Sequence, residues 1–175
     1  MAIFDIEKDD LLRLSDTLLE ELIARLAEAE IAAYGHSPAG ASWSGSIKAP
    51  DDGIDIHVQV NTAEFDTGFL SRPDTILQSK KDSMPKSAIS GEMLRDGELN
   101  PTISTQAKIG GSYIIVSLAD DCSPPMRKDR LDAMPAAGAS DPNKDQIHLD
   151  FFDRSKLAQW LRQHTSVLLW VKGKL

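Results

Sequence analysis

The chain has 175 residues, of which 41% are hydrophobic, and this is enough for one ordinary globular core but not for two comfortable domains. Its formal net charge of -8 disfavours a broad nucleic-acid-binding surface, because phosphate binding requires clustered Lys and Arg. The single cysteine, Cys122, excludes an internal disulfide and a cysteine-based zinc site, which agrees with a reducing compartment. We therefore expect one domain over residues 1–175, located in the cytoplasm.

No segment reaches the roughly 20 consecutive apolar residues that a membrane-spanning helix needs, so no membrane partner is expected. The first ten residues, MAIFDIEKDD, lack the basic and apolar regions of a secretory signal. The chain stops at GKL, three residues after an apolar segment. From this ending we expect an N-terminal module of a longer protein.

Helical periodicity dominates the start of the chain. Apolar residues recur at helical spacing over 9–34, which predicts one long first helix with Ser15 or Asp16 as a cap before its main part. Gly35 is suited to end it. Residues 36–53 are rich in Gly, Ser, Ala and Pro, a composition typical of a loop.

The rest of the chain alternates between strand and helix patterns. Residues 54–60, IDIHVQV, alternate apolar and polar side chains, which predicts a strand with two unlike faces. We expect, in order, a possible short strand near 68–70, a strand over 75–81, helices over 84–94 and 101–110, a strand over 112–118, a helix over 126–134, a strand over 146–152, a helix over 155–164 and a final strand over 166–172. This alternation predicts an α/β fold with helices packed on a mixed sheet.

Two short motifs stand on neighbouring predicted strands. GID places Asp55 at the start of one strand, and QSK places Gln78 and Lys80 23 and 25 residues farther along the chain. Because side chains alternate along a strand, Gln78 and Lys80 must share one face of the sheet.

With the element order, these motifs resemble the αβββαβ core of the PD-(D/E)xK nuclease superfamily, the restriction-endonuclease-like fold, in the Mrr-like form that carries Q-x-K. The segment HLDFFDRSKLAQWL, residues 148–161, is similar to the strand, Asp and helix near the end of Mrr-like domains. Within that branch, the chain most resembles nuclease modules at the N-terminus of bacterial anti-phage NTPases of the STAND type. The resemblance implies a mixed central sheet flanked by helices, followed by a C-terminal α/β extension.

The resemblance also implies a function. It indicates a Mg²⁺-dependent endonuclease, with Mn²⁺ as the alternative ion, that cleaves DNA in anti-phage defence. Phosphodiester hydrolysis uses such a cation to neutralise transition-state charge and to activate water. Since the chain is acidic, affinity for DNA would come from homo-oligomerisation or from a fused NTPase or sensor domain.

The resemblance assigns roles to the motif residues. Asp55 is expected to be the principal metal ligand, and the side-chain oxygen of Gln78 or the carbonyl of Ser79 would complete the ligand set, because Mg²⁺ prefers oxygen. Lys80 would orient the attacking water or stabilise the developing anion.

Many members of the superfamily also carry a glutamate on the first helix. At about 100° per residue, Glu30 lies at the edge of the apolar stripe of the predicted helix, whereas Glu20, Glu21 and Glu28 lie farther from it. Glu30 is therefore expected to be the second metal ligand, directly or through water.

Structural roles for the same residues remain open. Asp55 also suits the turn that enters a strand, Lys80 and Lys81 suit a solvated rim, and Glu30 can reach water or a lysine. A catalytically silent interaction or oligomerisation module is accordingly the alternative function.

Two histidines give a less favoured chemical alternative. His57 shares a strand face with Asp55, and His148 shares one with Asp150, so each pair is a candidate histidine-assisted metal site.

Overall fold

A computed structural model of the chain describes residues 5–43 and 54–175. It confirms the predicted α/β class, with a mixed five-stranded sheet flanked by helices. The sheet contains β1 (Ala41–Trp43), β2 (Ile56–Gln59), β3 (Asp74–Lys80), β6 (Ser112–Ser117) and β7 (His148–Phe152), and a separate hairpin contains β4 (Leu94–Arg95) and β5 (Glu98–Leu99). The α-helices are α1 (Asp16–Ala33), α2 (Lys86–Met93), α3 (Pro101–Lys108), α4 (Pro124–Ala137), α5 (Arg154–Arg162) and α6 (Thr165–Lys172).

The strands lie in the order β1-β2-β3-β6-β7. β1, β2 and β3 are antiparallel neighbours, whereas β3, β6 and β7 run parallel to one another. The parallel pairs are joined by crossovers that contain α2, α3 and α4, as parallel strands require. The inner strand β6 is buried along its whole length, which explains its largely apolar sequence.

The two faces of the sheet belong to two separate hydrophobic clusters. One cluster includes Leu77 and Ile114 and the apolar residues of α1, α5 and α6, and we call this side the α1 face. The other includes Ile76 and Ile115 and the apolar residues of α2, α3 and α4, and we call this side the α2 face. Alternation along each strand therefore decides on which of the two faces a polar side chain lies.

The first helix begins and ends with local signals that the sequence contains. The Ser15 hydroxyl accepts a hydrogen bond from the Leu18 amide at 3.2 Å, as an N-cap does. Gly35 follows the helix with a φ of 84°, a conformation that favours glycine. The single predicted helix over 9–34 is in fact a 3-10 helix at Lys8–Arg13 followed by α1.

Three predicted elements differ from the structure. The final segment is the helix α6 and not a strand, because its buried residues Val167, Leu168 and Val171 form a helical stripe against the α1 face. No strand forms at 68–70. The predicted loop over 36–53 contains β1, and residues 44–53 of it lie outside the described part of the chain.

No helix among the described residues combines the length and the apolar character that crossing a bilayer requires.

Candidate functional site

The QSK motif ends the central strand β3. Gln78 and Lys80 lie on the α2 face of β3, because they alternate with Leu77 of the α1 face. Gln78 is 5% exposed and Lys80 is partly exposed at the end of the strand. The motif thus directs one buried amide and one accessible ammonium group to the same side of the sheet.

Asp55 lies just before β2 and next to the end of β3. Its Oδ2 atom accepts a hydrogen bond from the backbone N–H of Ser79 at 2.7 Å. The carboxylate thereby continues the pairing of β2 with β3, which is a structural role, and it also faces the end of the QSK motif. Burial raises the pKa of Asp55 above its ordinary value, although the Ser79 N–H and the charge of Lys80 act in the opposite direction.

A glutamate that sequence reasoning missed completes this group. Glu92 on α2 forms an ion pair with Lys80, with 2.7 Å between Oε2 and Nζ. Its charge also contributes to the raised pKa of Asp55. We call Asp55, Gln78, Lys80 and Glu92 the strand-end cluster.

A signal for Glu92 does exist in the sequence. It stands next to Met93 and three residues after Ile89, both of which are buried on the α2 face. Residues at these spacings lie near one another on a helix. An acid at the border of the apolar stripe, on the helix that follows the QSK strand, is therefore placed to reach back to that strand.

Asp120 holds the start of α2 in place. This aspartate is 3% exposed and accepts hydrogen bonds from the Met84 amide at 2.7 Å, from the Ser83 hydroxyl at 2.8 Å and from the Ser117 hydroxyl at 2.7 Å. Burial alone would raise its pKa, but these bonds and the Arg130 guanidinium lower it, so it stays ionised. The network ties the loop after β3 to the end of β6 and so positions the helix that carries Glu92.

The Gln78 side chain has an unsatisfied oxygen. Its Oε1 atom is buried and has no hydrogen-bond partner within the described ranges. An unpaired buried acceptor is costly, so this oxygen is available to accept a hydrogen bond or to bind an ion. With the carboxylates of Asp55 and Glu92, the cluster offers two kinds of side-chain oxygen, carboxylate and amide, at the end of β3.

The side-chain oxygens of this cluster are of the types that bind a magnesium ion. Mg²⁺ is commonly held by one or two carboxylates, with water completing its six oxygen ligands. Within the described residues, no group of three or more His, Cys, Asp and Glu side chains has the arrangement of a metal site. The strand-end cluster has two carboxylates and an amide, so it fits Mg²⁺ better than a zinc ion. The Ser79 carbonyl as a further ligand stays a prediction.

Tyr113 lies on β6 on the same face. Burial raises the pKa of its phenol, and the charges of Glu92 and Asp55 act in the same direction. The phenol therefore stays neutral and does not serve as a base near the strand-end cluster.

Glu30 is not part of this cluster, which corrects the expectation from the sequence. Its Oε2 atom accepts hydrogen bonds from Trp160 Nε1 at 2.9 Å and from His164 Nε2. Trp160 belongs to the hydrophobic cluster of the α1 face, so Glu30 lies on the opposite side of the sheet from Lys80 and Glu92. The physical reason is that α1 packs on the α1 face, whereas the QSK side chains point to the α2 face.

The environment of Glu30 is that of a structural carboxylate. Glu30 is 4% exposed. Burial alone would raise its pKa, but hydrogen bonds from His164, Thr67 and Trp160 lower it below its ordinary value. The ionised group thereby links α1 to the loop at Thr67 and to the region where α5 ends and α6 begins.

The two predicted histidine pairs have different outcomes in the structure. His57 Nε2 lies 2.7 Å from Asp74 Oδ1, and Asp74 is further bound by the Gln106 amide at 2.8 Å. His57 therefore pairs with Asp74 instead of Asp55. His148 and Asp150 lie on β7, two strands away from the QSK motif.

Comparison of the chain with protein-family models, with curated proteins and with solved structures finds no match. The resemblance drawn from the sequence accordingly stays a proposal.

Proposed function

We propose that this chain is a Mg²⁺-dependent endonuclease of the PD-(D/E)xK type that hydrolyses DNA phosphodiester bonds. The observation that supports the proposal is the meeting of Asp55, Gln78, Lys80 and Glu92 at one end of β3. The segment from α1 to β6 contains the helix, three strands, helix and strand of that superfamily's αβββαβ core, with the β4–β5 hairpin and α3 between α2 and β6. Mn²⁺ is the alternative ion.

The acids and the amide of the cluster would hold the ion. Asp55 and Gln78 face it from adjacent strands, and Glu92 reaches it from α2, in the role that the sequence assigned to Glu30. The bound ion would neutralise charge on the phosphate and lower the pKa of the attacking water. Asp55, which is held by the Ser79 N–H, keeps a fixed position and needs little reorganisation on binding.

Lys80 would bind the phosphate. Its ammonium is fixed at the end of β3 by Glu92, and its side chain is partly exposed. Lys81 and Lys86 are exposed nearby along the chain, so three lysines stand around the strand end, where a bound cation would offset the charges of Asp55 and Glu92. A local patch of this kind can bind phosphate, although the acidic remainder of the surface weakens DNA binding.

The setting in the cell is part of the proposal. We infer a cytoplasmic effector domain of bacterial anti-phage defence that becomes active by homo-oligomerisation or through a fused NTPase or sensor domain. Such coupling would supply the DNA affinity that the acidic chain lacks, and it would restrict cleavage to the activated state.

Nicking of supercoiled plasmid DNA in Mg²⁺ or Mn²⁺ tests the proposal, with the chain used both alone and fused to an oligomeric coiled coil. Asp55→Ala, Lys80→Ala and Glu92→Gln should each lower the rate by about 10²-fold or more. Glu30→Gln is the matched control, because it changes a helix glutamate on the other face, and it should retain cleavage.

The outcomes separate the two functions. Cleavage that needs the ion and is lost in all three cluster variants supports the nuclease. If neither form of the folded chain cleaves DNA and neither binds Mg²⁺ or Mn²⁺, the nuclease is refuted. The chain is then the catalytically silent interaction or oligomerisation module that the sequence left open.

A further inference from the structure

Two buried polar atoms on the α1 face belong to neighbouring residues of β6 and β7, at the end of these strands opposite to the QSK motif. Ser112 on β6 is fully buried, and its hydroxyl has no hydrogen-bond partner in residues 5–43 or 54–175. His148 on β7 is paired with Ser112 in the parallel register, and its buried Nε2 atom also lacks a partner in these ranges. Neighbouring strands lie about 4.8 Å apart, so the two side chains stand side by side.

Asp150 adds an anionic oxygen to the same face. It follows His148 by two residues, and its Oδ2 atom lies 4.0 Å from His148 Nε2. Its other oxygen, Oδ1, accepts a hydrogen bond from the Phe151 amide at 2.8 Å, which orients the carboxylate.

The distance between these two atoms suits a bridging ion. At 4.0 Å the nitrogen and the oxygen are too far apart for a hydrogen bond. Zinc binds histidine nitrogen and carboxylate oxygen at about 2.0–2.2 Å, so at the tetrahedral angle the two ligand atoms lie about 3.4 Å apart. A small side-chain rotation would bring the pair to the shorter separation of a tetrahedral site.

We propose that His148, Asp150 and Ser112 form a binding site for a divalent transition cation of the zinc type, separate from the strand-end cluster. Imidazole nitrogen with carboxylate oxygen suits zinc, cobalt or nickel, whereas Mg²⁺ prefers oxygen alone. Two strong protein ligands and one hydroxyl, with water in the remaining positions, give micromolar affinity, weaker than that of a four-ligand structural zinc site. The bound ion links the edge strand β7 to β6.

Calorimetric titration of the whole metal-free chain with Zn²⁺, in the presence of excess Mg²⁺, tests this site. We expect one zinc ion per chain and a loss of affinity of at least about tenfold in His148→Gln and in Asp150→Asn. His57→Gln is the matched control, because His57 is another partly buried histidine of the sheet, already paired with Asp74. Asp55→Asn is a second control, and both should leave zinc binding unchanged.

A spectroscopic measurement identifies directly which histidine coordinates the zinc ion. In long-range ¹H–¹⁵N spectra of the four histidine side chains, zinc should shift only the imidazole nitrogens that disappear in His148→Gln. Circular dichroism checks that each variant is folded, and if His148→Gln fails to fold, Asp150→Asn decides the affinity measurement.

The proposal is overturned if the folded wild-type chain binds no zinc in the micromolar range. It is also overturned if binding persists in Asp150→Asn and the shifted nitrogens belong to another histidine. Because neither measurement depends on DNA cleavage, failure of the nuclease proposal would leave this result standing.

Discussion

Replacement of Glu30 by alanine tests whether this carboxylate is structural or catalytic. The side chain is 4% exposed and accepts hydrogen bonds from Trp160 at 2.9 Å and from His164. Each bond to a charged group contributes about 1.5–3 kcal/mol, and the donors left behind remain buried without a partner. We therefore expect Glu30→Ala to lower the free energy of unfolding by about 3–5 kcal/mol.

This loss of unfolding free energy corresponds to a decrease in the melting temperature, Tm. For a chain of 175 residues, the entropy of unfolding near the midpoint is about 0.37 kcal/mol/K, so the expected decrease in Tm is about 8–14 °C. Thermal unfolding followed by circular dichroism measures it. Glu28→Ala is the matched control, because Glu28 lies on the same helix with its side chain partly exposed, and its effect should be below about 0.5 kcal/mol.

The nicking assay supplies the second half of the test. The milder Glu30→Gln keeps an oxygen that can accept the Trp160 N–H, so the folded variant should cleave DNA as the wild-type chain does. A decrease in Tm below about 3 °C in Glu30→Ala would show that the carboxylate does not hold these donors. Loss of cleavage in folded Glu30→Gln would show that Glu30 acts in catalysis, as the sequence suggested.

Three further predictions concern the stability of the fold. The raised pKa of Asp55 means that the folded chain binds a proton at this carboxylate more tightly than the unfolded chain does. The ionised carboxylate therefore lowers the free energy of unfolding at neutral pH. This destabilisation disappears as the pH falls below the ordinary aspartate pKa of about 3.9. Asp55→Asn should accordingly have a higher Tm than the wild-type chain at pH 7, with a difference that shrinks toward pH 4; an equal or lower Tm at pH 7 would contradict the role of burial. Asp120→Ala should lower the free energy of unfolding in urea by about 3–5 kcal/mol, because it leaves the Arg130 charge and the Met84 amide without their acceptor, and a loss below about 1 kcal/mol would refute this role. Gly111→Ala should cost about 1–3 kcal/mol in the same measurement, since its Cβ would lie 2.2 Å from Gln106 Nε2 and 2.9 Å from the Asp74 carbonyl oxygen, and wild-type stability would show that Gln106 moves aside freely.

Most of the architecture was predictable because its signals are local. The cap at Ser15, the alternation in β2 and the continuous apolar run of β6 each depend on a few neighbouring residues. The segment 166–172 was not predictable in this way, because a short apolar run suits a buried strand or a buried helix equally. Packing of Val167 and Val171 against the α1 face decided for the helix.

The sequence by itself determined that Gln78 and Lys80 share one face, since side chains alternate along any strand. Only the tertiary structure decided which helix glutamate meets them. The periodicity of α1 shows that Glu30 points toward the sheet, but it does not show on which side of the sheet α1 packs. α2 packs on the side of the QSK side chains, so Glu92 contacts Lys80 at 2.7 Å. Glu30 and His164 form their pair on the other side of the sheet.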